Sequence, residues 1–286
     1  MEETVLKKGK KERAYRSPLS LFYKYFTYFS AVVTFTVLIF IIGYILVKGI
    51  PYLTPQLFEF EYNTENVSMM PAIINTITTT LLSLLFAVPL GICSAIYLVE
   101  YASRGNKFVK LVRITTETLS GIPSIVYGLF GMLFFVTTLG FGYSLLSGSL
   151  TLAIMILPLI MRTTEEALKA VPDSYREASF GMGAGRLRTV WKVVLPSAMS
   201  GIMAGVILAI GRICGETAAL IYTSGTVAEM AQSVMDSGRT LAIHMWALSG
   251  EGLHMDQSYA TAVILLIVVL LINTLSAFLA KRLTKG

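Results

Sequence analysis

The sequence predicts an all-α polytopic membrane protein with six transmembrane helices, and three observations carry that prediction. Of its 286 residues 55% are hydrophobic and 14% charged, with a mean hydropathy of +0.69, whereas a soluble domain carries about 25% charged residues. Five long intervals lack Asp, Glu, Lys and Arg altogether, and a helix needs about 20 apolar residues to cross a hydrocarbon core. The basic residues between those intervals fall almost entirely on one side. This composition excludes a water-soluble fold and a disordered chain.

The elements follow in order. Residues 1–24 form a basic N-terminal segment and residues 25–47 the first span. Its 23 residues exceed a signal-peptide core of about 7 to 15, and no A-x-A site follows, so it reads as an uncleaved helix. The interval 66–99 holds the second span, at about 73–98. The interval 118–161 is too long for one helix, and the runs Gly140-Phe141-Gly142-Tyr143-Ser144 and Ser147-Gly148-Ser149 divide it into two spans joined by a turn. The fifth span runs from residue 193 past Arg212 and Glu216 to about Tyr222, and the sixth occupies 257–280. The core of spans covers residues 66–282, with a cytoplasmic loop at 165–196.

Lys and Arg accumulate in cytoplasmic loops, which fixes the orientation. The N-terminal segment carries seven (Lys7, Lys8, Lys10, Lys11, Arg13, Arg16, Lys24), the second loop four (Arg104, Lys107, Lys110, Arg113), the fourth six (Arg162, Lys169, Arg176, Arg186, Arg188, Lys192) and the tail three (Lys281, Arg282, Lys285). These are 20 of the 23, so both termini are expected in the cytoplasm. The net charge of +6 is thereby a topology signal, and nucleic acid is not expected as a partner. Cys93 and Cys214 lie in apolar stretches and suggest neither a disulfide nor a metal pair. His244 and His254 are too far apart for a helical metal pair, and no metal site is expected.

The loop between the fourth and fifth spans is patterned. A short helix is expected at 173–182, after Pro172, ending among Gly181, Gly183 and Gly185. Leu187, Val190, Trp191, Val194 and Leu195 then form one apolar helical stripe, predicting a second, surface helix. Taken alone, this hairpin suits a lipid surface as well as a protein partner. Glu177-Ala178-Ser179, Gly183, Val193, Leu195 and Pro196 keep the spacing E-A-A-x3-G-x9-I-x-L-P, with Ser and Val as departures. This resembles the EAA loop of the membrane subunits of bacterial ABC importers. The resemblance implies a coupling helix seated in a separate ATPase subunit, with Glu177, Ala178, Ser179, Gly183, Leu195 and Pro196 as the coupling residues. The chain has no G-x-x-x-x-G-K-[ST] loop, so it is not expected to be an enzyme or to bind a cofactor; ATP and Mg belong to the partner.

Arg212 lies about 20 Å into the fifth span, with Glu216 one turn on. An intramembrane Arg costs at least about 2.5 to 3.5 kcal/mol, so it needs a polar cavity or a partner. Its planar, permanently charged fork suits phosphate oxygens. Either Arg212 and Glu216 pair structurally, or they serve an anion path. Arg162 and Glu165 repeat the arrangement near the cytoplasmic rim, where Arg162 equally suits a snorkelling role. Pro89, Pro123 and Pro158 interrupt helices and can expose backbone to a cavity.

Gly211-Arg212-Ile213-Cys214-Gly215-Glu216-Thr217-Ala218-Ala219-Leu220, with Arg162-Thr163-Thr164-Glu165 and Ile122-Pro123-Ser124-Ile125-Val126-Tyr127-Gly128, resembles the PstA-type permeases of phosphate ABC importers. The likeness runs from about Asn75-Thr76 to the last span. It implies a type I importer permease core, MetI-like, behind one additional N-terminal helix, in a prokaryotic inner membrane. It also implies that Arg162, Glu165, Arg212 and Glu216 serve phosphate movement. The implied partners are a PstC-like second permease, two copies of a PstB-like ATPase, a PstS-like phosphate-binding protein, phosphate and membrane lipid. PstC-type permeases share much of the motif set. Another oxyanion (sulfate, molybdate, phosphonate) and a stand-alone ion-coupled carrier or anion channel are the rival readings.

Overall fold

A computed structural model describes residues 18–103 and 105–284. The basic residues Lys7, Lys8, Lys10, Lys11, Arg13, Arg16, Arg104 and Lys285 lie outside the described residues, as does the side chain of Lys281. The described residues are helical, with irregular connections and no strand.

Helix α1 (Pro18–Gly49) begins earlier than its apolar core, so Lys24 and the preceding residues from Pro18 are already helical. Apolar residues cover its whole circumference and stay exposed, as a lipid-facing helix requires. Up to Val47 it is a unit of its own, and residues from Lys48 onward form the second.

In that second unit, α2 (Met70–Ile96) starts with Pro71 in its first turn and ends in a π-helical turn, Tyr97–Tyr101. Helix α3 (Lys107–Ser120) is capped by Asn106, whose side chain accepts from Phe108 N–H at 2.9 Å. Helix α4 (Ser124–Gly131), continued by a π-helical turn to Thr138, follows after a bend of 104° at Gly121-Ile122-Pro123. Pro123 lacks an N–H and disfavours helical geometry in the residue before it, which accounts for the break. Helix α5 (Leu145–Lys169) is the most buried of the spans.

Helix α6 (Asp173–Gly181) and α7 (Arg186–Thr189) make the cytoplasmic hairpin of the sequence reading. A π-helical turn, Val190–Val194, joins α7 without a break to α8 (Leu195–Cys214). Helix α9 (Ala218–Ile221) is one turn, α10 (Leu241–Glu251) is short, and α11 (Met255–Thr284) is the last span. Among the described residues five helices are long and apolar enough to cross a membrane, and the bent α3–α4 pair, taken as one span, makes six.

The centre of the fold is α5. Leu152, Met155, Ile156 and Ile160 pack with Ala87 of α2, Tyr127 of α4, Ala209 and Ile213 of α8 and Leu220 of α9. Side chains at spacings of three and four put one stripe of α5 into that core.

Three expectations need correction. Ser147-Gly148-Ser149 lies inside α5 instead of in a turn: Ser144 caps the helix by accepting from Ser147 N–H at 3.2 Å. The next two N–H groups, of Leu145 and Leu146, reach carbonyls of Asp236 and Val234 in the loop before α10, so the polar run is consumed as a buried helix start. The stripe from Leu187 to Leu195 is no separate surface helix but the first turns of the fifth span. That span ends at Cys214, not near Tyr222, because Gly215, Glu216 and Thr217 leave helical geometry before α9 restarts.

Candidate functional site: a basic cavity and a braced hairpin

A cavity of about 460 Å³ lies between α3, α5 and α8. Its walls include Arg113 and Glu117 of α3, Pro158, Arg162, Glu165, Glu166 and Lys169 of α5, and Arg212 of α8. Helix α3 is held in place by Val109, which packs with Leu98 of the α2 terminus and Met161 of α5. Helix α8 is held by Ala209 and Ile213, which meet Ile156 of α5. Arg212 sits roughly 26 Å along α8 from Leu195, at about 1.5 Å per residue, so the cavity reaches from the hairpin side deep into the span.

The structure brings Arg162, Glu165 and Arg212 into one cavity but pairs them differently from their sequence neighbours. Arg162 Nε donates to Glu166 Oε1 at 3.1 Å, with both side chains about two-thirds exposed. Glu165 is the more buried acid, and its Oε1 meets Arg113 Nη2 and Lys169 Nζ at 2.6 Å each. Glu216 lies in the break after α8 and its Oε1 accepts from Ala219 N–H at 3.1 Å, capping α9. Among the described residues Arg212 has no acidic partner within ion-pair distance. A half-buried guanidinium at membrane depth that faces a cavity whose Glu165 and Glu166 are engaged by other cations keeps its donors available to an incoming anion.

The hairpin is braced by a second cluster. Arg176 of α6 is half-buried against the ends of α2 and α5. Its Nη2 donates to Glu100 Oε1 at 2.7 Å and to Leu168 O at 2.9 Å. Its Nε donates to Glu100 at 3.2 Å, and its Nη1 to Val171 O at 2.8 Å and Asp173 Oδ1 at 3.2 Å. One side chain thus ties two carbonyls at and just past the end of α5 and locks α6 to the terminus of α2.

Of the motif residues, Glu177 and Ala178 are exposed, as are Gly183 and Pro196, and Leu195 is half-buried. Ser179 is buried, and its hydroxyl bonds that of Thr189 at 2.8 Å, so the departure from alanine pins α6 to α7. Gly183 makes the reversal between them with φ +82°, a conformation that L side chains adopt only under strain. Around it Tyr175, Phe180, Met182, Leu187 and Trp191 are exposed, a cluster of large apolar side chains on the hairpin.

Sequence reasoning assigned no role to Glu100, and it counted Arg113 and Lys169 only as orientation signals. An acid two residues beyond the apolar run of the second span was the available signal, because a carboxylate at that depth needs a partner.

A bundle of membrane-spanning helices that projects a short helical hairpin between two of its spans is the architecture of the permease subunit of an ABC importer. Residues 87–286 match the family of binding-protein-dependent transport system inner membrane components, and the chain belongs to that family. It is 31% identical over 278 residues to the probable ABC transporter permease protein YqgI of Bacillus subtilis strain 168, covering 89% of this chain and 92% of that one. It is 35% identical over 221 residues to the phosphate transport system permease protein PstA of Mycobacterium leprae, covering 75% and 72%. Among solved structures, a chain of a bacterial alginate ABC transporter, crystallised with its alginate-bound periplasmic protein, superposes with a TM-score of 0.65 over 92% of this chain and 97% of that one at 16% identity, a likeness of fold. The resemblance to PstA-type permeases and the importer-permease fold are both borne out.

Proposed function

We propose that this permease forms half of the translocation path of an ATP-driven importer of inorganic phosphate. The observation that carries the reading is the cavity in which Arg113, Arg162, Lys169 and Arg212 converge while Arg212 has no acidic partner among the described residues. Guanidinium forks at successive depths suit a tetrahedral oxyanion that is passed from one to the next. Arg212 is the deep station. Glu216 shapes the break beside it by capping α9. Arg162 and Glu165 form the inner rim, where acids already neutralise the cations and so let the anion leave.

The exposed apolar side chains of α6 and α7, with Glu177, Ala178 and Gly183, form the surface that enters an ATPase subunit. Arg176 and Ser179 make the hairpin rigid enough to convert closure of an ATPase dimer into a tilt of α8, to which α7 is continuous. The assembly has a second, PstC-like permease, two PstB-like ATPase subunits that hold ATP and Mg, and a PstS-like protein that delivers phosphate. Both termini of this chain lie in the cytoplasm. Proteoliposomes holding the four components should hydrolyse ATP faster when phosphate-loaded binding protein is added on the opposite side. Stimulation by sulfate-loaded but not phosphate-loaded protein would assign another oxyanion, and stimulation by neither would refute the reading.

A further inference from the structure

At the end of the core opposite the hairpin, α10 begins in the protein interior. Leu241, Ala242 and Ile243 are fully buried, so first-turn N–H groups that a helix leaves without internal partners are shut off from water. Thr76 Oγ1 accepts one of them, from Leu241, at 2.9 Å. Thr240 holds the cap position, yet its Oγ1 is buried with no partner. Arg239, only 5% exposed, precedes it. Its backbone is pinned on both sides, donating to Val227 O at 2.9 Å and accepting from Asn75 Nδ2 at 3.3 Å. Its guanidinium lies 4.7 Å over the ring of Tyr62, and the same ring meets the His244 imidazole edge-on at 6.3 Å.

The cluster is rich in donors that have nothing to donate to. Nε and Nη2 of Arg239 and both ring nitrogens of His244 are buried without hydrogen-bond partners among the described residues, and Arg239 has no carboxylate within ion-pair distance. The face of Tyr62 offsets part of the desolvation of the charge, but a buried cation without a counter-ion remains strongly unfavourable. The two free donors are also the informative ones: Nε and Nη2 form the side-on edge of the guanidinium, which grips two oxygens of one oxyanion in parallel. His244 is neutral, its pKa pushed down to about 3 by burial and then by the Arg239 charge; the Val67 backbone pulls the other way without reaching hydrogen-bond geometry. A neutral imidazole adds one N–H, Thr240 adds a hydroxyl, and the positive end of α10 faces the same locus.

We infer that Arg239, Thr240 and His244 form a binding site for a small inorganic oxyanion at the buried start of α10, separate from the basic cavity on the hairpin side. The anion supplies the missing acceptor for the guanidinium edge. It has two sources: the transported cargo, or a resident anion taken from solution and held as a counter-ion.

The test uses the purified full chain, exchanged into a gluconate buffer, with its thermal midpoint followed as phosphate or sulfate is added. Ion chromatography of an acid extract of the exchanged protein detects any anion that stays bound. Phosphate should raise the midpoint, or be found retained at about one per chain, in the wild type and equally in Arg212→Ala. It should do neither in Arg239→Lys, which keeps the charge and loses the fork. Thr240→Val, nearly isosteric, should raise the half-saturating concentration about tenfold, the loss of one charge-assisted hydrogen bond. An effect of phosphate but not sulfate identifies the cargo as the source, and equal effects identify a resident anion. Arg239→Lys responding like the wild type, or a wild type that neither holds nor responds to any anion, overturns the proposal and leaves the locus to ordered water and the Tyr62 ring.

Discussion

Arg176 and Glu100 are 76 residues apart in sequence, and their side chains meet at 2.7 Å where the first helix of the hairpin crosses the end of the second span. Both are largely buried, at 14% and 9% side-chain exposure. Removing one partner of such a pair strands the other charge, at a cost on the order of 3 kcal/mol. Arg176→Ala should therefore lower the thermal midpoint of the purified chain clearly. Glu100→Gln keeps the acceptor oxygen and should lower it less. If the pair also braces the coupling hairpin, Glu100→Gln should leave ATP hydrolysis intact while reducing transport per ATP. An unchanged ratio would confine the pair to stability.

Glu165 holds both Arg113 and Lys169 through a single oxygen. Glu165→Gln abolishes both ion pairs and leaves two cations at the inner rim of the cavity. Phosphate should then be released more slowly, seen as a lower maximal uptake rate with little change in the phosphate concentration for half-maximal uptake. Both cations are substantially exposed, so the midpoint of thermal unfolding should hardly move.

Gly128 of α4 packs on the backbone of α9. A Cβ there would lie 2.8 Å from Ala219 Cα and 3.1 Å from its carbonyl oxygen. Backbone cannot swing aside as a side chain can, so Gly128→Ala should destabilise by about 1 to 3 kcal/mol. It should also displace the α9 turn that Glu216 caps. A midpoint within a degree of wild type would contradict this packing.

His244 gives a pH dependence with a definite sign. Its pKa falls from 6.5 to about 3 on folding through burial and the nearby Arg239, so between those values the unfolded chain binds the extra proton. The contribution of neutral His244 is complete above pH 6.5 and is lost as pH falls toward 3, at up to about 1.4 kcal/mol per pH unit. His244→Gln should flatten the decline in thermal midpoint between pH 6.5 and 4. An unaltered slope would place the acid sensitivity elsewhere.

The spans were legible because apolar runs and the asymmetry of basic residues are one-dimensional signals. Helix α6 and its Gly183 turn were legible for a similar reason, since capping residues and glycines punctuate a chain locally. The limits of the fifth span were not: hydropathy continues through Ala218, Ala219 and Leu220, while the break at residues 215–217 is decided by what Glu216 and the loop before α10 bond in three dimensions. Of the two partners of Glu165, Lys169 at i+4 lies within reach of a spacing rule, whereas Arg113 stands on another helix and does not. The setting of Arg239 and His244 was not legible either, because burial without partners leaves no mark on a sequence.

Arg212 stands at membrane depth with no acidic partner among the described residues, and in the proposed ATP-driven path it carries the phosphate. The most direct measurement is uptake of labelled phosphate into proteoliposomes holding this chain with its partner permease, ATPase and binding protein, with and without ATP, for the wild type, Arg212→Ala and Arg212→Lys. ATP-dependent uptake is expected, abolished in Arg212→Ala and restored only in part in Arg212→Lys, since lysine keeps the charge without the fork. Wild-type uptake by Arg212→Ala, or flux through this chain alone without ATP, would contradict it.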